Sequence, residues 1–460
     1  MNDFLVALVQ TLGADSVQTG DAIPARHHTD WSGTAPVRPL ALVRPRSTAE
    51  VSALLALCNA HRVPVVPQGG LTGLAGAAVP CAHGVAVSLD RMHSIESVDV
   101  RAATLTVQAG ATLQAVQEAA IAQGLQFGVD FGARGSCHIG GAIATNAGGN
   151  GVLQYGMLRE QVLGLEVVLA DGTVLSMLRP MLKNNTGYDL KHFFIGAEGT
   201  LGVVTRAVLR LRPLPAARAT ALVALPGFDA ALSLLGRLQA CFTGTLSAFE
   251  LMWRDFVEAS LRWQQLRDPF DTAHPFLALI DVGGADALQL QAALETVLGE
   301  AMEAGEALDA AIAQSDGQAR ALWKIREATA ELPVHMHPPI NFDVSLPQAD
   351  IGRFATDCRA ALDLRWPGHH TVFFGHVGDG NLHLSTDAST VGGQEAAVEA
   401  VVYALVADFH GSVSAEHGIG LHKKPYLGAS RTPAELVAMR AIKNALDPLH
   451  LLNPGKVFDL

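Results

Sequence analysis

The chain is short of cysteine, short of charge and without a long apolar run, and each shortage removes a class of protein. Its five cysteines, Cys58, Cys81, Cys137, Cys241 and Cys358, are scattered and form no CxxC spacing. That argues against a disulfide framework and against a thiolate zinc site. Only 17% of residues are charged while 49% are hydrophobic, so large cores can form and disorder is not expected. No stretch approaches the roughly 18 uninterrupted apolar residues that a membrane span needs. The N-terminus, MNDFLVALVQTLGADS, has Asp3 where a signal or transit peptide would be basic, which predicts a cytoplasmic protein. A net charge of -12 without a basic run argues against nucleic acid as a partner. An anionic substrate would therefore need local positive charge, from a metal or from Arg and Lys.

What the chain has in quantity is glycine, clustered at 69–84, 124–156, 196–202, 375–380 and 411–420. Between the clusters, Ser47 and Glu50 open a helix at 46–62 as a capping box. Strands are expected at 63–67, 85–89 and 104–110, with a helix at 112–123. A hairpin over 163–175 should turn at Asp171-Gly172. After a strand at 200–213, the proline-bearing PLPAARA marks a boundary near 215. Beyond it come a strand near 219–224, helices at 228–240 and 253–263, a strand at 276–282 and a helix at 285–303. That pattern predicts α+β layers rather than a regular βαβ array. The last 50 residues read as mostly helical. At 460 residues the chain should hold more than one core. No period of 20 to 50 residues suggests a repeat.

Two glycine clusters follow strands directly and carry small polar residues. In Pro67-Gln68-Gly69-Gly70-Leu71-Thr72-Gly73-Leu74, successive glycines let backbone N–H groups turn inward and touch a ligand, as a pyrophosphate needs. The second loop runs from Gly135 through Ser136, Cys137, Ile139, Gly140, Gly141, Ala144, Thr145 and Asn146 to Asn150. No strand is followed by GxGxxG, so a nicotinamide-type Rossmann site is disfavoured.

His376-Val377-Gly378-Asp379-Gly380-Asn381-Leu382-His383 joins two apolar strand ends through turn residues. A turn at 378–381 would pair His376 with His383 on one sheet face, close enough to chelate a divalent ion. Asp379 is a further candidate ligand, set against capping its own turn. Glu416-His417 lies among small residues in Ser414-Ala415-Glu416-His417-Gly418-Ile419-Gly420. Two histidines and one carboxylate would leave metal positions open for substrate.

The segments PQGGLTGLAGAAVP, GSCHIGGAIATNAGG, LKNNTGYDLKHFFIGAEGTLGVVT, FGHVGDGNLHL, SAEHGIG and NPGKVF together resemble one family. It is the vanillyl-alcohol-oxidase (PCMH-type) FAD-linked oxidoreductases, in the branch of D-2-hydroxyglutarate, D-lactate and glycolate dehydrogenases. The resemblance implies a two-part FAD-binding domain over 1–215 and an α+β cap domain with an antiparallel sheet over 216–410. The C-terminal segment 411–460 would return to the FAD domain. It implies FAD contacts from Pro67, Gly69, Gly70, Leu71, Thr72, Gly73 and Leu74, and from Ser136, Cys137, Ile139, Gly140, Gly141, Ala144, Thr145 and Asn146. Glu198, Gly199, Gly202 and Val204 would meet the adenine side, and Asn453 would also serve the cofactor. The first loop has no His, so the FAD should be non-covalent; Cys137 reads as an ordinary packed cysteine.

The resemblance further implies His376, His383 and Glu416 as metal ligands and His417 as catalytic base. Zn²⁺ suits the ligands, with Mn²⁺, Co²⁺ or Fe²⁺ as alternatives. A 2-hydroxy acid would chelate the metal, lose its hydroxyl proton to His417 and its Cα hydride to the flavin. Arg326, in Trp323-Lys324-Ile325-Arg326-Glu327, would grip the substrate carboxylate. Asn341, Ala330 and Ser385 stand where the hydroxyglutarate enzymes carry a Lys, a hydroxyl residue and an Asn. A D-lactate-like or apolar D-2-hydroxy acid is therefore expected, with D-2-hydroxyglutarate dehydrogenase or a glycolate oxidase subunit as alternatives. An alkyl-ether-lipid synthase and a plain zinc hydrolase are the remaining rivals. Electron-transfer flavoprotein, a cytochrome or a quinone would accept the electrons, and a homodimer is the default assembly.

Overall fold

The computed structural model describes residues 2–460 and divides into two compact units. Unit 1 takes the chain through Gly149, Gly156–Leu214 and Glu416–Leu460; unit 2 takes Asn150–Tyr155 and Pro215–Ala415.

Unit 1 opens with strands β1 (Val17–Thr19), β2 (Ala41–Val43), β3 (Val65–Gln68) and β4 (Val85–Ser88). They form one sheet in the order β1-β2-β4-β3, with β4 parallel to both β2 and β3. The crossover from β2 to β3 is helix Thr48–His61. Ser47 accepts from the Glu50 N–H, the Glu50 carboxylate accepts from the Arg46 N–H, and left-handed Arg62 ends the helix. Val51, Leu54, Leu55 and Cys58 form its buried face.

Next come β5 (Ile95–Asp99), β6 (Thr104–Gln108), β7 (Leu125–Gln126), β8 (Val162–Val168), β9 (Val174–Met177), β10 (Val203–Arg210) and β11 (Arg212–Pro213). Five of them form an antiparallel sheet in the order β5-β6-β10-β8-β9, while β7 pairs with β11. The β8–β9 hairpin turns at Asp171-Gly172, where Gly172 has φ 89° and Asp171 accepts from the Thr173 N–H. One apolar core joins the two sheets and includes Leu54, Val85, Val107, Leu165 and Leu452.

Leu452 brings the C-terminal segment into that core, and Asn453 N–H donates to the Val65 carbonyl at 2.7 Å. This segment is less helical than its composition suggests. It has helix Pro433–Leu446 and a short 3-10 turn at Lys424–Ala429. Gly418, Gly420 and Gly455 take positive φ, which an α-helix cannot continue through.

Unit 2 is built on β12 (Ala217–Leu225), β13 (Leu246–Trp253), β14 (Phe276–Gly284), β15 (Asp309–Ile312), β16 (Pro339–Ser345), β17 (Thr371–Gly375) and β18 (Asn381–Asp387). The sheet order is β15-β12-β14-β13-β17-β18-β16, antiparallel throughout. Strand alternation and this register place Leu222, Leu279, Glu250, Met252, Phe374, His383, Ser385, Asn341 and Asp343 on one face. The apolar part of that face packs with Phe256 and Val257 of helix Arg254–Trp263 and with Ile325 of helix Asp316–Arg326. On the other face, Phe342 meets Tyr403 edge-on and Arg359 lies over Phe373. Among the described residues, no helix is long and apolar enough to cross a membrane.

Candidate active site

In unit 1 the first glycine loop leaves β3 under firm control. Gln68 shares a 2.8 Å hydrogen bond with His27 Nδ1 and donates its amide to the carbonyls of His27 and Ala78. Leu71 takes the left-handed conformation, φ 62°. A β-carbon at Gly70 would stand 1.9 Å from the Ser136 carbonyl oxygen and 2.8 Å from Cys137 Cα. At Gly69 the nearest atom would be Gly141 Cα, at 3.4 Å. The two loops thus lie backbone to backbone, which explains why glycine stands at Gly70. Gly73 is different: its side-chain direction is open, with Asp30 Oδ2 nearest at 3.6 Å.

The second loop leads into helix Ile139–Thr145, which ends at left-handed Asn146. Gly140 passes close to Ala109, where a β-carbon would lie 2.7 Å from the Ala109 β-carbon. Asn146 Oδ1 accepts from the Arg159 N–H and the Thr145 hydroxyl donates to Gly141, so part of their polarity is spent locally. Cys137 is buried, and desolvation pushes its thiol up to about 12, which leaves it unreactive.

Several residues expected against the adenine side are occupied within the protein. Gly202 lies against Val167 and Phe194, and Val204 is in the core. Both Glu198 oxygens accept backbone N–H groups, from Ile419 at 2.7 Å and Gly420 at 2.8 Å. Burial pushes the Glu198 carboxyl up, opposed by those two bonds. Asn453 donates to the carbonyls of Glu198 and Ala77. Glu198 and Asn453 therefore clamp the C-terminal segment, since buried backbone N–H and C=O groups need partners. Glu416 also lies in unit 1, where its Oε1 accepts from the Gly149 N–H at 3.0 Å. His417 follows it in the same unit.

In unit 2 the register differs from the expected one. His383 pairs with Phe374, and the turn is a 3-10 turn over Val377–Asp379 closed by left-handed Gly380. The tight approach of Gly375 to Asn381 and Leu382, 2.5 and 2.9 Å from a β-carbon position, favours that closure. The offset is two residues, an even number, so His376 and His383 still share a face. Their rings are 5.4 Å apart, and their nearest ligand nitrogens lie within 4.8 Å. Asp379 Oδ1 accepts from the Asn381 N–H, which caps the turn.

Behind His376 stands Glu250, on β13 and 1% exposed. Glu250 Oε1 accepts from His376 Nδ1 at 2.5 Å, and Oε2 accepts from Arg326 Nε at 2.7 Å. Burial alone would raise the Glu250 carboxyl. The Arg326 guanidinium and the hydrogen bonds from Arg326 and His376 outweigh it and hold the group below the usual carboxylate range. Arg326 is itself buried, with Nη2 3.4 Å from His376 Nε2 and its guanidinium 4.9 Å over the Phe374 ring. Behind His383 stands Asp343, fully buried, with Oδ1 4.0 Å from His383 Nδ1. Asn381 donates to Asp343 Oδ1 and to Val344, while its own Oδ1 is buried without a hydrogen-bond partner. Asn341 and Ser385 are paired across the strands, the Ser385 hydroxyl donating to Asn341 Oδ1 at 2.7 Å. Ala330 is exposed, so its lack of a hydroxyl removes nothing from a buried network.

Residues 39–177 match the FAD binding domain, and residues 214–457 match the C-terminal domain of FAD linked oxidases. The chain belongs to the FAD-linked oxidases. It is 41% identical to a D-2-hydroxyglutarate dehydrogenase of Xanthomonas citri pv. viticola, over 99% of its own length and 97% of the relative's. It is 39% identical to the mitochondrial D-2-hydroxyglutarate dehydrogenase of Bos taurus, over 94% and 79% of the two chains. Its fold is that of the PCMH/VAO type. p-Cresol methylhydroxylase superposes with TM-score 0.79 at 17% identity, covering 100% of this chain and 97% of that one. The 4-ethylphenol oxidase of Gulosibacter chungangensis gives 0.75 at 17%, covering 99% and 97%.

The residues fit the cofactor that this family implies. The open face of Gly73 suits close approach of a ligand. His138 Nδ1 and Asn453 Oδ1 are buried polar atoms without protein partners, as a bound group would explain. Sequence reasoning missed Glu250 and Asp343. The only available signal was a lone carboxylate inside the apolar strands LSAFELMW and PINFDVS.

Proposed function

We propose that this protein is a divalent-metal-dependent flavoenzyme that oxidises a D-2-hydroxy acid to the 2-oxo acid. Its non-covalent FAD would pass electrons to an external acceptor. One observation carries the reading: His376 and His383 have ligand nitrogens within 4.8 Å of each other, and His376 Nδ1 is bonded to a carboxylate, so a metal would take Nε2 in exchange for its 3.4 Å contact with Arg326 Nη2. His376, His383 and Glu416 would hold Zn²⁺ or Mn²⁺. Chain continuity supports Glu416: unit 2 ends at Ala415, whose N–H donates to the Asp343 carbonyl, and Asp343 pairs with His383. The metal would supply charge that neutralises the substrate carboxylate and acidifies the hydroxyl, and FAD would accept the hydride. His417 would take the hydroxyl proton, and Arg326, its Nε spent on Glu250, would meet the carboxylate through its outer nitrogens.

For the substrate's other end, Asn341 and Ser385 are neutral and bonded to each other. Asn341 is exposed and neutral, so a second carboxylate there would forgo the charge pair that a Lys would offer, about 1 kcal/mol or about fivefold in kcat/KM. A short or apolar side chain, as in D-lactate, fits better. The names of the relatives favour D-2-hydroxyglutarate as the second reading. Stopped-flow flavin bleaching with D- and L-lactate, D-2-hydroxybutyrate, D-mandelate and D-2-hydroxyglutarate decides between them. EDTA should abolish bleaching, and Zn²⁺ or Mn²⁺ should restore it. Full activity after EDTA would refute the metal, and a large preference for hydroxyglutarate would refute the short side chain.

A further inference from the structure

We propose that Glu250 is a positioning residue that sets the tautomer of His376 and the orientation of Arg326 with one carboxylate. The inference deepens the metal reading above and rests on it. Glu250 sits on a central strand of the unit 2 sheet, with β14 on one side and β17 on the other, and is 1% exposed. Each of its oxygens has one partner, His376 Nδ1 at 2.5 Å and Arg326 Nε at 2.7 Å. An ionised carboxylate only accepts and a guanidinium only donates. The proton between Glu250 and His376 therefore sits on Nδ1. Arg326 Nη2, 3.4 Å from His376 Nε2, requires the same assignment, because that nitrogen must then be the acceptor. Arg326 also lies over Phe374, which stacks on His383 at 5.2 Å. The contacts close a circuit from the carboxylate through the arginine and Phe374 to the second histidine.

Glu250→Gln tests this because a neutral amide cannot satisfy both partners. Its single oxygen would turn to Arg326, since leaving a buried guanidinium unpaired costs more than mismatching a neutral donor. The NH2 would then face His376 Nδ1 and drive the imidazole to the other tautomer, with Nε2 protonated and unable to bind a metal. Chelator-stripped flavoprotein titrated with Zn²⁺ or Mn²⁺ against a chromophoric chelator should show metal affinity reduced about 10- to 100-fold. Glu250→Asp, which keeps the charge, should lie between the two. Long-range 1H–15N spectra of histidine-labelled, metal-free wild-type protein should show neutral His376 protonated at Nδ1. That spectrum needs no variant, so it tests the proposal even where Glu250→Gln fails to fold. Wild-type metal affinity in Glu250→Gln, or His376 protonated at Nε2 in the wild type, would overturn the role of Glu250 alone. A wild-type chain that takes up neither metal would overturn the metal site itself, and this role with it.

Discussion

Gly70→Ala and Gly73→Ala separate a glycine packed against protein backbone from one proposed to face the cofactor. A β-carbon at Gly70 would lie 1.9 Å from the Ser136 carbonyl oxygen and 2.7 Å from its carbonyl carbon. Both are backbone atoms with no side-chain freedom to yield. Reaching even a 3.0 Å contact requires the two loops to part by at least about 1.1 Å. Overpacking of this kind costs about 1–3 kcal/mol. Gly70→Ala should therefore lower apoprotein stability by that amount. Taken from the loop arrangement proposed to bind FAD, about 2 kcal/mol would weaken affinity by about 30-fold. A β-carbon at Gly73 would meet nothing closer than Asp30 Oδ2 at 3.6 Å, so Gly73→Ala should leave apoprotein melting unchanged. In the proposed cradle it should still weaken FAD, because a methyl group would fill the space left open at Gly73 for the pyrophosphate. Thermal melts of the stripped protein and a fluorescence titration with FAD read the two effects apart. A Gly70→Ala chain with wild-type melting and FAD affinity would refute the loop argument. Unchanged FAD affinity in Gly73→Ala would remove Gly73 from the cradle.

Two more expectations concern acid and substrate. Burial lowers the pKa of both His27 and His138 in unit 1, so the folded state binds fewer protons than the unfolded chain. By linkage their contribution is intact above about pH 6.5 and is lost as pH falls below it. Melting should drop between about pH 7 and 5.5, less so in His138→Gln, whose Nδ1 has no partner to lose. A flat profile would refute the sign. Asn341→Lys would place a cation on the strand beside Ser385. It should raise kcat/KM for D-2-hydroxyglutarate over D-lactate by about fivefold, which corresponds to about 1 kcal/mol for an ion pair at an exposed position. An unchanged ratio would show that the substrate's far end lies elsewhere.

Much of the scaffold was legible because its causes are local. Ser47 and Glu50 cap their own helix, Asp171-Gly172 turns its own hairpin, and short runs of mostly buried residues mark β12, β14 and β10. The C-terminal segment was misread as mostly helical because its glycines adopt positive φ only against distant partners. A β-carbon at Gly420, for example, would strike the Ala75 carbonyl at 2.0 Å. Glu198 and Asn453 were expected to serve the cofactor, and the structure adds a second role that the sequence does not show. Their use as clamps depends on Ile419, Gly420 and Ala77, far along the chain.

The histidine pair shows where the two levels part. Spacing and turn residues around 376–383 determined by themselves that two imidazoles would share a sheet face, because an even register shift preserves the face. Only the tertiary structure decided the pairing of His383 with Phe374, which the close passage of Gly375 against Asn381 favours. It alone brought Glu250 to His376 across 126 residues and to Arg326 across 76. A buried carboxylate has no short-range signature. Its partners are chosen by which strands and helices the core brings together.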